Sequence, residues 1–170
     1  GDDQADVYKT ITQWDLNGNY HEYSYGPVLL PDGQMLVTLN LGWEGYGVSA
    51  SKWRGWMLKV SQDGQVTPYA TGLRSPAGFG VNAEGDVFYT ENQGDWVGSG
   101  RMTHLKLGDF AGNPAGLRWS GEIGSPVNLK VEDIDDTEKI SLYDYQHKLE
   151  GIKAPSIWFP HTLMGVSTSD

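Results

Sequence analysis

Three segments of this chain share one design, a tight turn containing a glycine followed by residues that favour β-strands. The turns hold Asp32-Gly33, Asp63-Gly64 and Glu84-Gly85. Glycine suits such turns because it adopts a positive φ at no steric cost, and Asp-Gly between apolar runs is a strong hairpin signal. The first and third segments agree best and lie about 50 residues apart, a spacing typical of the blades of a β-propeller. The repeat therefore predicts an all-β propeller, in which loops at the strand ends gather around one axis.

The pattern of apolar residues and turn signals locates the strands before residue 124. Alternation predicts a strand over 7–11, hairpins over 26–41, 55–70 and 77–92, and a further strand over 101–107. The glycine-rich ranges 42–52 and 94–100 are predicted to be loops, and 108–121 to be irregular. We therefore assign residues 1–124 to the propeller blades.

The texture of the sequence changes after Gly124, where an acidic run occupies 132–138. Asp135 and Glu138 have the spacing of a capping box, which predicts a short helix from about Asp136 to Leu149. An extended segment over 156–159 follows between two prolines. We assign 125–170 to a linker, this helix and the extended segment, all belonging to the same propeller.

Composition narrows the range of partners. The net charge of −10 among 170 residues makes nucleic acid an unfavourable partner, because phosphate binding needs a basic surface. The chain has no cysteine, which excludes disulfides and thiolate chemistry, and no run is apolar enough to span a membrane. Its opening residues, Gly1-Asp2-Asp3, resemble the interior of a longer protein.

Size limits how much of a propeller this chain supplies. A six-bladed propeller needs about 250 residues, so we expect three to four blades here. Because a partial propeller leaves open sheet edges, the rest of the propeller or partner chains are expected to complete it. A compact β-sandwich that needs no partner is the alternative fold.

Three places in the sequence could carry chemistry. His21 is a candidate general base, or else a histidine that hydrogen-bonds a neighbouring strand. Arg74 lies in a turn from which its planar fork can bind a carboxylate, or else it is an exposed loop arginine. The segment 91–95, Glu-Asn-Gln-Gly-Asp, offers the oxygens that Ca²⁺ prefers, or else is a plain acidic loop. Trp43 and Trp96 lie in glycine-rich loops, where a ligand role is more credible than for the other tryptophans.

The order of these segments resembles the glucose/sorbosone dehydrogenase family. The resemblance covers about residues 21–121 and rests mainly on the Arg-x-Pro-x-Gly element at 74–78 and the Glu-x-Gln-Gly element at 91–94. Members of that family are six-bladed propellers that use pyrroloquinoline quinone (PQQ) and calcium, and they are typically exported. The resemblance therefore implies a periplasmic or extracellular quinoprotein that oxidises a sugar or aldehyde.

The resemblance also implies roles for individual residues. His21 matches the base that takes the substrate hydroxyl proton, and Arg74 matches the arginine that holds PQQ. The backbone carbonyls of Gly94 and Asp95 match the pair that binds calcium. The remaining cofactor-binding positions implied are Ser75, Gln93 and Trp96.

Three departures from the family pattern leave other functions open. Ser75 stands where an asparagine usually follows the arginine, and Asp95 stands where proline is common. The later blades, which carry the family's other basic cofactor contacts, are missing, so the isolated chain is expected to be inactive. The alternatives are a non-catalytic propeller module that binds carbohydrate or protein, and a structural subunit of a surface assembly.

Overall fold

A computed structural model describes residues 2–16, 19, 21–42, 51–94, 96–134, 144 and 149–168. These residues form two four-stranded antiparallel sheets, which confirms the prediction of an all-β chain. The first sheet has the order β1-β2-β3-β4 and the second β5-β6-β7-β8. The strands are β1 (Ser24–Leu29), β2 (Met35–Leu39), β3 (Trp56–Val60), β4 (Val66–Thr71), β5 (Phe79–Val81), β6 (Val87–Glu91), β7 (Gly100–Leu105) and β8 (Ile157–Phe159).

The three turns that share a sequence design also share a geometry. Gly33, Gly64 and Gly85 all have a positive φ, at 81°, 91° and 87°. In each turn the residue three before the glycine donates its N–H to the carbonyl of the residue just after the glycine, over 2.8 to 3.0 Å. The predicted hairpins over 26–41, 55–70 and 77–92 are therefore confirmed.

The two sheets pack against each other through one hydrophobic cluster. Leu36, Met57 and Ala70 come from the first sheet, and Tyr89 and Leu105 come from the second. Alternate residues of β6 are buried, as expected for a strand with one face on a core. Burying each large apolar side chain contributes about 1.5–3 kcal/mol, so this interface holds the sheets together.

The other face of the first sheet is covered by the segment that joins β7 to β8. Phe110, Leu117 and Val127 from this segment pack with Trp56 and neighbouring side chains of the first sheet. The segment includes two 3₁₀ helices, Pro114–Trp119 and Val131–Asp133, the first of which lies within a range predicted to be irregular. The indole Nε1 of Trp56 donates to the carbonyl of Gly116 at 2.7 Å. The chain then returns to the second sheet as β8, within the predicted extended segment 156–159.

The strand predicted over residues 7–11 is wrong. These residues are not in a strand, and Val7 and Tyr8 are 79% and 90% exposed. The carbonyl oxygen of Ile11 lies only 2.1 Å from the position that a Cβ on Gly64 would take. The segment thus passes closely over a hairpin turn instead of joining the sheet.

The predicted helix from Asp136 to Leu149 lies almost wholly outside the described residues and stays a prediction. Within the residues that the structure describes, no helix is long and apolar enough to cross a membrane.

Candidate functional site

The end of β2 holds two of the predicted site segments. The N–H of Asn40 donates to the carbonyl of Tyr23 at 3.3 Å, and the N–H of Leu41 donates to the carbonyl of Arg74 at 2.9 Å. The side chain of Asn40 adds a donor bond of 2.8 Å to the carbonyl of His21 and accepts from the N–H of Tyr23 at 2.5 Å. Consecutive N–H groups of an extended chain point in opposite directions. His21 and Arg74 therefore belong to segments that flank one strand end.

Arg74 also contacts the bend that follows β6. Its Nη1 donates to the carbonyl of Gln93 at 3.2 Å, and its side chain is partly buried. A Cβ on Gly94 would lie 2.6 Å from Cδ of Arg74. Glycine at position 94 thus lets the arginine lie across the bend. We call Arg74, Gln93 and Gly94, together with His21 and Asn40, the β2-end cluster.

Glu91, at the end of β6, organises the turn that carries Arg74. Its carboxylate is fully buried, and Oε1 accepts the backbone N–H of Arg74 at 2.5 Å and the N–H of Ser75. Its Oε2 accepts from Nη2 of Arg101 at 2.5 Å and from the hydroxyl of Tyr89 at 3.3 Å. Sequence reasoning named the segment 91–95 for its oxygens but missed this role. The alternation Val87, Tyr89, Glu91 was the signal, because it places the carboxylate on the buried face of the sheet.

Burial and nearby charges shift the pKa of Tyr89, which lies beside Arg101. Arg101 is 1% exposed, and its guanidinium lies 5.9 Å from the centre of the Tyr89 ring. Burial raises the pKa of the Tyr89 phenol, and the Glu91 carboxylate adds to the rise while Arg101 opposes it. The phenol thus stays neutral and able to donate to Glu91 at ordinary pH.

A second buried ion pair adjoins His21. Nε of Arg54 lies 3.6 Å from Oε2 of Glu22, and both side chains are almost completely buried. Nη1 of Arg54 donates to the carbonyl of Tyr23 at 2.8 Å. Burial lowers the pKa of Arg54, and the Glu22 charge offsets part of that shift. The segment 21–23 is therefore held by hydrogen bonds from both Asn40 and Arg54.

Two amide oxygens in the bend are buried without a hydrogen-bond partner. Across the described part of the chain, neither Oδ1 of Asn92 nor Oε1 of Gln93 accepts a hydrogen bond. A buried polar atom left in this way costs about 1–3 kcal/mol, so such atoms call for a ligand, an ion or a water. Amide oxygens are the hard ligands that Ca²⁺ accepts. Within the described ranges, no group of three or more His, Asp or Glu side chains is placed to hold a metal ion.

Of the remaining predicted site residues, the structure describes Ser75, which follows Arg74 in the turn, and Trp96. Trp96 is 8% exposed and packs with Val97 and Trp158, so it contributes to a small hydrophobic cluster two residues after the bend. Asp95 and Trp43 lie outside the described residues, and their predicted roles stay predictions.

In this all-β chain, the β2-end cluster places the cationic side chain of Arg74 across a bend rich in oxygen atoms. Comparisons of the chain with protein-family models, with curated proteins and with solved structures find no match.

Proposed function

We propose that this chain forms part of a β-propeller of the PQQ- and Ca²⁺-dependent sugar or aldehyde dehydrogenase type. The observation that carries the proposal is the contact of Arg74 with Gln93 and Gly94, joined through Asn40 and Leu41 to His21. Three segments that are distant in sequence thereby meet at one strand end. They are the segments in which the resemblance places the base, the cofactor clamp and the calcium ligands.

The strand order supports a propeller over the alternative sandwich. In each sheet the four described strands lie side by side in chain order, as they do in a propeller blade. β-Sandwiches more often exchange strands between their sheets through Greek-key connections. In this proposal the remaining blades belong to a longer protein or to partner chains, and the site opens towards the common axis.

The residues of the β2-end cluster fit the chemistry of the proposed cofactor. PQQ carries three carboxylates, and a guanidinium binds carboxylates with two parallel hydrogen bonds. The buried oxygens of Asn92 and Gln93 are of the type that coordinates Ca²⁺. When bound, PQQ with its Ca²⁺ supplies a quinone that accepts a hydride. Arg74 would hold and orient the carboxylates, and His21 would accept the proton of the substrate hydroxyl.

Calorimetric titration of the complete protein with PQQ in the presence of Ca²⁺ tests the proposal. We expect binding that Arg74→Ala weakens at least tenfold, because the charged fork is lost. Arg118→Ala, which removes an exposed arginine outside the β2-end cluster, serves as the matched control and should leave the affinity unchanged. His21→Asn should retain PQQ binding and lose dye-coupled oxidation. Failure of the complete protein to bind PQQ with Ca²⁺ present overturns the proposal.

A non-catalytic propeller module is the second candidate, and Ser75 favours it. A serine in place of the family's asparagine cannot supply an amide contact to a cofactor. Such a module would bind carbohydrate or another protein, or act as a structural subunit of a surface assembly. Glycan binding that survives both His21→Asn and Arg74→Ala, in a protein that oxidises no sugar, would support this candidate.

A further inference from the structure

We propose that Glu91 and Arg101 are positioning residues for Arg74. A buried carboxylate, held in place by a buried guanidinium, orders the turn from which Arg74 presents its own guanidinium. The inference concerns the chain's internal organisation, and only the identity of the ligand that Arg74 receives rests on the proposed function.

The first step is the convergence of two backbone donors on one oxygen. The N–H groups of Arg74 and Ser75 both donate to Oε1 of Glu91. Hydrogen bonds to a carboxylate are roughly twice as strong as neutral ones. Because the two donors are consecutive, their common acceptor fixes the backbone at residue 74, and with it the direction in which the Arg74 side chain leaves the turn.

The second step is that the carboxylate cannot rotate. Its Oε2 is bound by Arg101 and Tyr89, which are themselves buried on the same face of the second sheet. Glu91 and Arg101 are also direct partners in the register of β6 and β7. Strand pairing therefore sets the position of Arg101, Arg101 sets the carboxylate, and the carboxylate sets the turn.

The third step is that the N–H, the carbonyl and the guanidinium of Arg74 each form a hydrogen bond. Its N–H binds Glu91, its carbonyl accepts from Leu41, and its guanidinium donates to Gln93. A side chain ordered before a ligand arrives loses less conformational freedom on binding, which raises affinity. Removal of the Glu91 charge should therefore weaken ligand binding although Arg74 itself remains.

Glu91→Gln is the sharpest variant because glutamine cannot serve both sides of the carboxylate. One of its two terminal atoms is a donor, so it faces either the two turn amides or the guanidinium of Arg101 with the wrong group. We expect hydrogen exchange at the amides of Arg74 and Ser75 to quicken at least tenfold more than at the amides of β2 and β3. Leu105→Ala is the control, since it removes a buried side chain of the same core without touching the turn.

The double variant E91L/R101M removes the acceptor of the turn amides whichever way the glutamine of Glu91→Gln faces, and it also serves if that variant fails to fold. It replaces the buried pair with apolar side chains of similar size, a change that proteins often tolerate well. The turn amides again lose their acceptor, and the same selective loss of protection is expected. The inference is overturned if, in E91L/R101M, the amides of Arg74 and Ser75 keep their protection relative to the strand amides.

The effect on ligand binding is measured separately, by titration with PQQ in the presence of Ca²⁺. We expect Glu91→Gln to lower the affinity at least tenfold and Leu105→Ala to leave it within threefold. A variant that loses turn protection but binds PQQ as the wild type does would overturn the claim that the turn preorganises Arg74. If the wild-type protein binds no PQQ, the proposed function fails, and the amide exchange still decides whether Glu91 and Arg101 position Arg74.

Discussion

Two glycines of this chain have nearly the same positive φ in opposite surroundings. Gly72 has a φ of 86° and Gly85 a φ of 87°. A Cβ on Gly72 would lie 2.6 Å from the nitrogen of Ala111, 2.7 Å from the nitrogen of Gly112 and 2.8 Å from Cδ2 of Phe110. A Cβ on Gly85 would meet no described atom within 4 Å. Replacing each by alanine therefore separates the cost of conformation from the cost of crowding.

The magnitudes follow from these contacts. The left-handed conformation costs an alanine about 1–2 kcal/mol at either position. At Gly72 the contacts are mostly with backbone, which cannot move aside, so overpacking adds about 1–3 kcal/mol. We expect Gly85→Ala to lower the free energy of unfolding by about 1–2 kcal/mol and Gly72→Ala by roughly 2–5 kcal/mol.

Urea unfolding followed by tryptophan fluorescence measures both variants on the same footing. A change in midpoint with an unchanged slope reports a change in the free energy of unfolding. Equal losses in Gly72→Ala and Gly85→Ala would refute the reasoning, since they would mean that the contact of Gly72 with residues 110–112 is not close-packed. Because Gly72 lies two residues before Arg74, its variant should also speed amide exchange in the turn.

Two further predictions concern buried polar groups. The raised pKa of the Tyr89 phenol means that the folded state releases its proton later than the unfolded chain does, so the stability that this group contributes is complete below about pH 10 and is lost as the pH rises further. Above that pH the free energy of unfolding of the wild type should fall with rising pH more steeply than that of Tyr89→Phe, by about 1.4 kcal/mol per pH unit. Urea titrations from pH 9 to 11 measure both slopes. Equal slopes would contradict the prediction. Thr71→Val removes the hydroxyl that donates to the carbonyl of Gly55 at 2.9 Å, but this carbonyl also accepts from Leu73, so the loss should be close to 1 kcal/mol. A loss above 3 kcal/mol in the same assay would show that the second bond does not compensate.

Local signals were enough to predict the hairpins. At each turn a single glycine with a positive φ follows an acidic residue, and such a pair specifies the turn whatever lies around it. The same reasoning failed for residues 7–11, where the alternation of apolar residues is present but the segment passes over the turn at Gly64 and is not in a strand. Alternation alone does not make a strand, because pairing is decided by the rest of the chain.

The candidate site was predictable only in its parts. Arg74 and Gly94 were named from their local motifs, and the structure brings them into contact. The roles of Glu91 and Arg101 were not foreseen, because the partner of a buried charge is set by the register between β6 and β7 and by how the two sheets pack. For the same reason, the pairing of β8 with β7 could not be predicted, since a long segment of chain separates the two strands.

The segment between β7 and β8 links the two sheets. Phe110, Leu117 and Val127 shield the first sheet, yet they lie in sequence between two strands of the second. If the backbone is cut at any one place between β4 and β8, at least one of the two pieces loses some of the apolar side chains that cover its sheet. The pair of sheets is therefore indivisible, and any rearrangement of this chain by recombination would have to carry both sheets together.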